Sequence, residues 1–347
     1  VYKRQDRNYR KYFPLFTLIT SFASVAWLSG DLRLMVLFWG ATLLSLTLLI
    51  RVNRSWKIPH EAAKISGKSF ALGWFALLVA VVLLFVSTGD WHINIASSYD
   101  NTINSGMKFI IDILIVIAVI VPAAQFPFQS WLIESVAAPT PVSAIMHAGI
   151  VNAGGIILTR FSPVFDNSFA ITILLIIASV SVLLGSGISL VHVDYKRQLV
   201  GSTMSQMGFM LVQCALGVYS AAIIHLILHG VFKATLFLQS GSVVKRFNIP
   251  TPPSAKRSYS WVVLGRLLAI VIAVAFWLNS DRSPYEIISA LILAWSLIVS
   301  WNQMVAFSRG LIGRVVGVMM IVIVAIVYII THHYFYNTCL LYTSPSP

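Results

Sequence analysis

The stretch Ile223–Lys233, IIHLILHGVFK, is apolar enough for the interior of a membrane but carries three ionisable side chains. His225, His229 and Lys233 are spaced by four residues, which places them on one face of a helix with 3.6 residues per turn. From the first of these residues to the last, that face rises by about 12 Å. The stretch therefore predicts a membrane helix with a ladder of titratable groups (the ladder: His225, His229 and Lys233) along one side.

The composition of the whole chain indicates an integral membrane protein. Of its 347 residues 58% are hydrophobic and 10% are charged, and the mean hydropathy is +0.85. Runs long enough to cross a hydrocarbon layer of about 30 Å recur along the chain, and they lack the alternation of barrel strands. We therefore predict an all-α polytopic protein with about eleven transmembrane helices. The predicted spans lie near residues 13–30, 34–50, 70–86, 108–137, 141–160, 168–190, 199–217, 219–243, 262–279, 286–307 and 314–332.

These spans suggest a division of the chain into five segments. Residues 1–12 are a cytoplasmic lead-in, residues 13–243 form a helical core, and residues 244–261 form a cytoplasmic loop. Residues 262–333 carry the C-terminal helices, and residues 334–347 form a tail whose composition differs from the rest. We expect this tail to be non-native, and we expect further transmembrane helices to precede residue 13.

The net charge of +13 is distributed as in a membrane protein rather than a nucleic-acid binder. If the N-terminus is cytoplasmic, 18 of the 24 lysines and arginines fall in segments predicted to lie inside the cell. This positive-inside pattern predicts a cytoplasmic N-terminus for the chain and cations that face anionic lipid headgroups. No nucleic-acid partner is expected. Lys233 is the one basic residue predicted to lie deep in the bilayer.

Residues 121–149, VPAAQFPFQSWLIESVAAPTPVSAIMHAG, predict an interrupted helix. Pro122 and Pro127 each remove a helical hydrogen bond, so the fourth span should break near them. Interrupted helices in transporters often mark the ion path, although prolines alone are equally typical of a kinked packing helix. Polar residues after the break favour a water-accessible surface. They are Gln125, Gln129, Ser130 and Glu134.

Several motifs of this chain resemble one family of membrane proteins. The motifs are residues 125–160, DYKR at 194–197, STMSQMGFM at 202–210 and HLILHGVFKATLFLQSGS at 225–242. Together they resemble the antiporter-like membrane subunits. That family includes the large proton-pumping subunits of respiratory complex I, Mrp-type cation/proton antiporter subunits and the membrane subunits of DAB inorganic-carbon accumulation systems. Residues 6–50 most resemble the last group, the DabB-type subunits.

The resemblance implies roles for matching residues and a partner for the chain. His147, His225, His229 and Lys233 fall on the buried polar axis that carries protons across the middle of the membrane in this family. A DabB-type subunit would pass protons or Na⁺ to energise uptake of CO₂ or bicarbonate. The chemistry would lie in a DabA-like, zinc-containing, carbonic-anhydrase-like partner. The chain itself is therefore expected to be a transporter subunit without a cofactor rather than an enzyme.

Two positions depart from the pattern of the complex I relatives. Their Trp-Glu pair, which supplies a membrane carboxylate, corresponds to Trp39 and Gly40 here, and the lysine ahead of their broken helix corresponds to Pro122. A second broken helix with its own lysine is also missing from residues 262–279. These departures favour the carbon system. A complex I-type NADH-quinone oxidoreductase subunit and an Mrp-type antiporter subunit remain as alternatives.

Each candidate residue also has a purely structural interpretation. The ladder could hold helices together through hydrogen bonds, but charged groups inside a membrane cost about 2.5–3.5 kcal/mol each, which favours a function. His147 by itself would be interpreted as a hydrogen-bonded core histidine. Asp112 follows Lys108 by four residues, so a structural ion pair and a site where an ion enters are both open. A membrane metalloenzyme using the histidines is a third class, but no third ligand or general-base glutamate accompanies the ladder.

Overall fold

The computed structural model describes residues 9–52, 57–92, 103–240, 259–278 and 284–301, with isolated positions between 315 and 330. In these ranges the backbone is helical, as predicted, and a single bridge between Asp31 and His92 is the only β-type pairing. The described residues fall into two units, with the boundary between Val244 and Lys245.

The first unit contains α1 (Tyr9–Leu28), α2 (Leu32–Ile50), α3 (Lys57–Thr88), α4 (Ser105–Ile120), α5 (Ser130–Glu134), α6 (Thr140–Ala148), α7 (Ala153–Phe161), α8 (Ser168–Val191), α9 (Tyr195–Ala215) and α10 (Tyr219–Gln239). Single 3₁₀ turns, Ser135–Ala137 and Ile150–Asn152, follow α5 and α6. The second unit contains α11 (Tyr259–Leu278) and α12 (Pro284–Trp301) in its described part. These two helices pack together, and Trp301 Nε1 donates to the carbonyl of Trp261 at 2.7 Å.

Six helical segments of the described chain are long and apolar enough to cross a membrane. They are Leu32–Ile50, Lys57–Thr88, Thr140–Phe161, Ser168–Val191, Tyr219–Gln239 and Trp261–Leu278. Helices α1, α4, α9 and α12 occupy four more of the predicted spans. The span near 314–332, the loop 244–261 and the tail 334–347 lie largely outside the described residues. The polytopic helical fold is therefore confirmed, whereas the count of eleven spans is not.

The fourth predicted span is interrupted in the structure. Helix α4 ends at Ile120, the next helix begins at Ser130, and Pro122 and Pro127 lie between them. A backbone carbonyl at the break, that of Val121, is hydrogen-bonded within the protein. Trp131 Nε1 donates to it at 2.8 Å. The break is therefore packed against its neighbours, as an interruption at membrane depth requires.

The water-accessible surface predicted after the break exists only in part. Ser130 and Glu134 are exposed, but Gln125 is fully buried, so the prediction was wrong for this residue. Gln125 Nε2 donates to the carbonyls of Ala123 and Met204 at 2.6 and 3.3 Å. Its amide therefore replaces hydrogen bonds that the helix lost at the prolines, and it ties the break to α9.

Helix α7 is joined to the end of α1 by a half-buried cation. Arg160 donates to the carbonyl of Trp27 at 2.9 Å and also to the carbonyls of Ala26 and Ser29. The last carbonyls of a helix have no partner within the helix, so a guanidinium with several donors satisfies them well. This contact joins residues more than 130 positions apart and fixes one edge of the first unit.

The loop between α1 and α2 is fixed by a local ion pair. Asp31 caps α2 by accepting from the backbone of Arg33 at 2.8 Å, and the guanidinium of Arg33 also binds the carboxylate at 2.7 Å. The hydrogen bond from Arg33 lowers the pKa of Asp31 to about 2. Asp31 is therefore ionised at neutral pH, and its charge favours the N-terminus of α2.

Candidate functional site

The ladder lies on the inward side of α10. Lys233 is fully buried and His229 is 5% exposed, whereas Val231 on the opposite side is 67% exposed. This arrangement inverts that of a soluble helix, because the apolar side faces outward and the ionisable side faces other helices. The spacing predicted in the sequence is therefore realised, and it directs His229 and Lys233 into the protein while His225 is half-buried.

Lys233 is held by a backbone carbonyl rather than by a carboxylate. Its Nζ donates to the carbonyl of Leu199 on α9 at 3.2 Å, and no acidic side chain pairs with it in the described part of the chain. Thr203 Oγ1 donates to the same carbonyl at 2.8 Å. One carbonyl of α9 therefore accepts hydrogen bonds from both a lysine and a threonine inside the helix bundle.

His147 joins this cluster from α6. It is fully buried, its Nδ1 lies 3.1 Å from Thr203 Oγ1, and its ring stacks on Phe237 with centroids 4.2 Å apart. Phe237 follows Lys233 by four residues, so His147 rests on the same face of α10 as the ladder. The structure therefore brings together His147 and Lys233 through Thr203 and the Leu199 carbonyl, although the four residues come from three helices.

The hydrogen bonds fix the tautomer of His147. A threonine hydroxyl has one proton, and Thr203 gives it to the Leu199 carbonyl in the shorter of its two contacts. Thr203 then accepts from Nδ1–H of His147. The other nitrogen, Nε2, is a proton acceptor that is buried without a hydrogen-bond partner. His147 thus presents a free basic nitrogen inside the protein.

The other two ladder residues differ in how firmly they are held. His225 Nδ1 lies 3.2 Å from Gln213 Oε1 of α9, so that nitrogen carries the proton. His229 is buried with no partner at either ring nitrogen, and its ring centroid lies 6.1 Å from that of His225. An imidazole without partners can take a proton at either nitrogen and turn between neighbours. His229 therefore follows His225 on α10 without a hydrogen bond that fixes its orientation.

Asp112 lies on α4, contacts the residue that precedes α8, and is apart from the hydrogen bonds of the ladder. It is fully buried, Oδ2 accepts from the backbone of Asn167 at 3.0 Å, and Oδ1 has no partner. The ion pair considered with Lys108 is not what the structure shows, because Lys108 Nζ binds Asp166 at 2.8 Å. The two residues share a helix face, but Lys108 reaches across to the loop before α8.

The space beside Gly40 is filled by the indole of Trp74. A side chain at Gly40 would start with its Cβ only 2.5 Å from Nε1 of Trp74, and that nitrogen donates to the carbonyl of Val36 at 2.9 Å. Trp39 is buried and packs on Trp27, with centroids 4.9 Å apart. The packing of Trp74 against Gly40 therefore agrees with the absence of a side chain at this position.

Three contributors to the site were not identified from the sequence. Thr203 and Gln213 lie on α9, ten residues apart; Thr203 belongs to the STMSQMGFM motif but was given no role, and Gln213 lies outside every quoted motif. The third is the carbonyl of Leu199, for which no side-chain signal exists. No group of three histidine, cysteine or acidic side chains placed for a metal occurs in the described ranges.

Comparison with known proteins identifies related sequences along most of the chain. Residues 29–316 match the family described as NADH:quinone oxidoreductase/Mrp antiporter, TM. A probable inorganic carbon transporter subunit DabB of Bacillus subtilis (strain 168) is 61% identical over 338 residues, which are 97% of this chain and 67% of that protein. The corresponding protein of Bacillus anthracis is 56% identical, over 97% of this chain and 66% of its own length.

A solved structure with a similar fold is that of the Mrp complex from Dietzia sp. DQ12-45-1b. It superimposes with a TM-score of 0.66 at 26% identity, and the match covers 94% of this chain and 35% of that one. The present chain spans about two thirds of the length of the two Bacillus relatives.

Proposed function

The chain belongs to the NADH:quinone oxidoreductase/Mrp antiporter family of membrane proteins, and on that premise we propose that it is the ion-translocating subunit of an inorganic-carbon transport system. Relatives with 61% and 56% identity bear the name of an inorganic carbon transporter subunit. In this proposal the chain conducts an ion through the bacterial inner membrane, and a DabA-like partner carries out the chemistry on CO₂ or bicarbonate.

The observation that carries the proposal is the environment of Lys233. A lysine that only stabilised the fold would be expected to pair with a carboxylate, because an unpaired ammonium in an apolar interior is costly. Its described partner is instead the neutral carbonyl of Leu199. Such an amine can lose its proton to a neighbour and regain it, which is what a relay requires.

The ladder supplies successive proton sites along α10. His225, His229 and Lys233 follow one another at four-residue intervals, each a rise of about 6 Å, and His147 lies beside this series through its contact with Thr203. Every member is a nitrogen base, whereas Na⁺ is a hard cation that prefers oxygen ligands. The chemistry of these side chains therefore favours protons over Na⁺ as the coupling ion.

Asp112 is the best candidate in the described chain for the point where a proton joins the path. It combines complete burial with an unpartnered carboxylate oxygen, and a carboxyl group can exchange protons with a chain of water or with a neighbouring base. Its hydrogen bond to Asn167 N holds the other oxygen in place. This assignment extends the relay toward the loop between α7 and α8.

The proposal is tested by complementation. A bacterial strain that needs high CO₂ should grow in air when it receives the full-length subunit together with a DabA-like protein, and should fail with either protein alone. Coupling requires both proteins because an ion flux drives chemistry only where the two sites share a conformational equilibrium. Copurification of the two proteins should accompany rescue. Growth in air with this subunit alone would refute the proposal.

An Mrp-type antiporter subunit is the second candidate. The likeness to the Dietzia Mrp complex supports it, at 26% identity compared with 61% for the carbon-system relative. Everted vesicles that contain the full-length subunit would distinguish the two functions. Na⁺-driven or K⁺-driven proton exchange without added bicarbonate would favour the antiporter, whereas proton movement that depends on the DabA-like partner would favour carbon transport.

A further inference from the structure

A small basic cavity lies between the start of α1 and the end of α2, outside the ladder. Its volume is about 310 Å³, and its lining includes Lys11, Leu15, Leu18, Leu48 and Arg51. We propose that this cavity binds an anionic phospholipid, with the phosphodiester between the two cations and the start of an acyl chain against the leucines. This proposal is independent of the transported substrate.

The helix register explains how the cavity forms. Residues 11, 15 and 18 lie on one face of α1, and Arg51, the residue that caps the end of α2, follows Leu48 by three positions. The two helices pack as antiparallel neighbours joined by a loop of three residues, Ser29–Asp31, so the start of α1 and the end of α2 meet at one edge. By the positive-inside pattern this is the cytoplasmic edge.

The charges at the opening of the cavity suit an anion. Lys11 and Arg51 are both exposed, and neither is paired with a carboxylate in the described ranges. Arg51 alone could be explained by the negative end of the α2 dipole, and Lys11 alone by the positive-inside rule. Neither rule explains why the two cations share one cavity. Basic pockets between transmembrane helices on this side of a membrane are typical binding sites for anionic headgroups.

The walls of the cavity suit a lipid better than a free phosphate ion. Leu18 and Leu48 are 39% and 40% exposed at its side, and Leu44, one turn before Leu48 on α2, is 61% exposed. These leucines extend an apolar surface from the cations toward the middle of the membrane. A volume of about 310 Å³ is at the small end for ligand sites, which suits a headgroup and the first carbons of a chain.

The experiment measures which lipid stays on the protein. The full-length subunit, purified in mild detergent, is titrated with phosphatidylglycerol or with phosphatidylcholine of the same chains, and bound lipid is counted by native mass spectrometry. We expect one phosphatidylglycerol to be retained in preference to phosphatidylcholine. The double variant Lys11→Gln/Arg51→Gln should lower the apparent affinity for phosphatidylglycerol about 30-fold, since each cation near the surface contributes a factor of about five.

A matched control separates this site from general surface charge. Lys64→Gln/Lys68→Gln removes the same charge from exposed positions of α3, and it should leave the retained phosphatidylglycerol unchanged. Leu18→Trp should fill the groove and displace the lipid although both cations remain. All variants are compared at equal amounts of monodisperse protein.

Three outcomes would overturn the proposal. The first is equal retention of the two lipids, and the second is an equal loss of phosphatidylglycerol in the control. The third is a cross-link from the Leu18→Cys variant to another helix of the full-length chain, which would show that protein covers the groove.

Discussion

Where α9 meets α8 the two backbones touch through glycines, whereas polar side chains fill the space where α9 meets α10 and α6. A Cβ at Gly185 of α8 would lie 2.5 Å from the backbone nitrogen of Ser205, and a Cβ at Gly208 of α9 would lie 2.8 Å from the carbonyl of Ala178. Small residues allow such close approach, and dispersion contacts then hold the helices together in lipid. This side of α9 serves packing.

The other side of α9 is built from groups that packing alone does not require. It presents Thr203, Gln213 and the Leu199 carbonyl to His147 and the ladder. Buried polar groups without partners cost about 1–3 kcal/mol each, yet His229 and His147 Nε2 have none. The side of α9 that faces α8 therefore favours stability, whereas the side that faces α10 and α6 places titratable groups in the interior at a cost in stability.

Replacement of Lys233 should have the largest effect on activity. Lys233→Met keeps the length and the apolar stem but removes the exchangeable proton, so we expect carbon uptake to fall to background while membrane level and partner binding stay normal. Lys233→Arg should fail nearly as badly, because a guanidinium holds its proton too tightly to pass it on. Lys68→Met, at an exposed position of α3, is the matched control.

The measurement for Lys233 is labelled bicarbonate uptake, and growth in air, in a strain without its own carbon system, with membrane levels checked by blot. Wild-type uptake by Lys233→Met would mean that the ladder is structural. Both sides of α9 would then serve packing, and the contrast between them would disappear.

On the packing side the largest effect should come from Gly185. Gly185→Ala places a methyl group against backbone atoms of α9 that cannot move aside, so we expect a destabilisation of about 1–3 kcal/mol and a lower thermal midpoint in detergent. Gly187→Ala, two residues further along α8, meets nothing within 4 Å and should be neutral or stabilising. Equal midpoints for the two variants would show that the close approach is not a source of stability.

Thr203→Val tests whether the tautomer of His147 matters. Valine has nearly the same shape as threonine but leaves Nδ1–H of His147 without an acceptor, at a cost of about 1–3 kcal/mol. We expect carbon uptake to fall about tenfold with little change in protein level, and Thr203→Ser to restore most of it because the hydroxyl returns. If serine and valine behave alike, the hydroxyl does not position His147.

Asp112→Asn should have the smallest effect on carbon uptake. It tests whether the buried carboxyl beside the start of α8 exchanges protons or only packs. Asparagine retains an oxygen that can accept from Asn167 N, so the fold should persist, but an amide cannot exchange a proton as a carboxyl can. We expect a partial loss of uptake that is smaller than that of Thr203→Val. Asp166→Asn, which alters only the exposed partner of Lys108, is the control. Unchanged uptake in Asp112→Asn would assign Asp112 to packing.

The sequence by itself determined the features that depend on which residues are neighbours along the chain. Hydropathy predicted membrane helices because burial of apolar side chains in lipid depends on composition over about 20 residues. Pro122 and Pro127 predicted the break because proline cannot donate a helical hydrogen bond. The four-residue spacing of His225, His229 and Lys233 predicted that they share a face, which α10 shows.

Tertiary structure alone decided what each of these groups touches. Leu199 O binds Lys233 across 34 positions, and Thr203 binds His147 across 56, so no local pattern could pair them. Lys108 binds Asp166 across 58 positions although Asp112 is closer in sequence. Hydrogen bonds depend on distances of about 3 Å between atoms, and those distances are fixed only when separate helices pack. Periodicity predicts which face of a helix turns inward, but the packing of the other helices determines which group that face contacts.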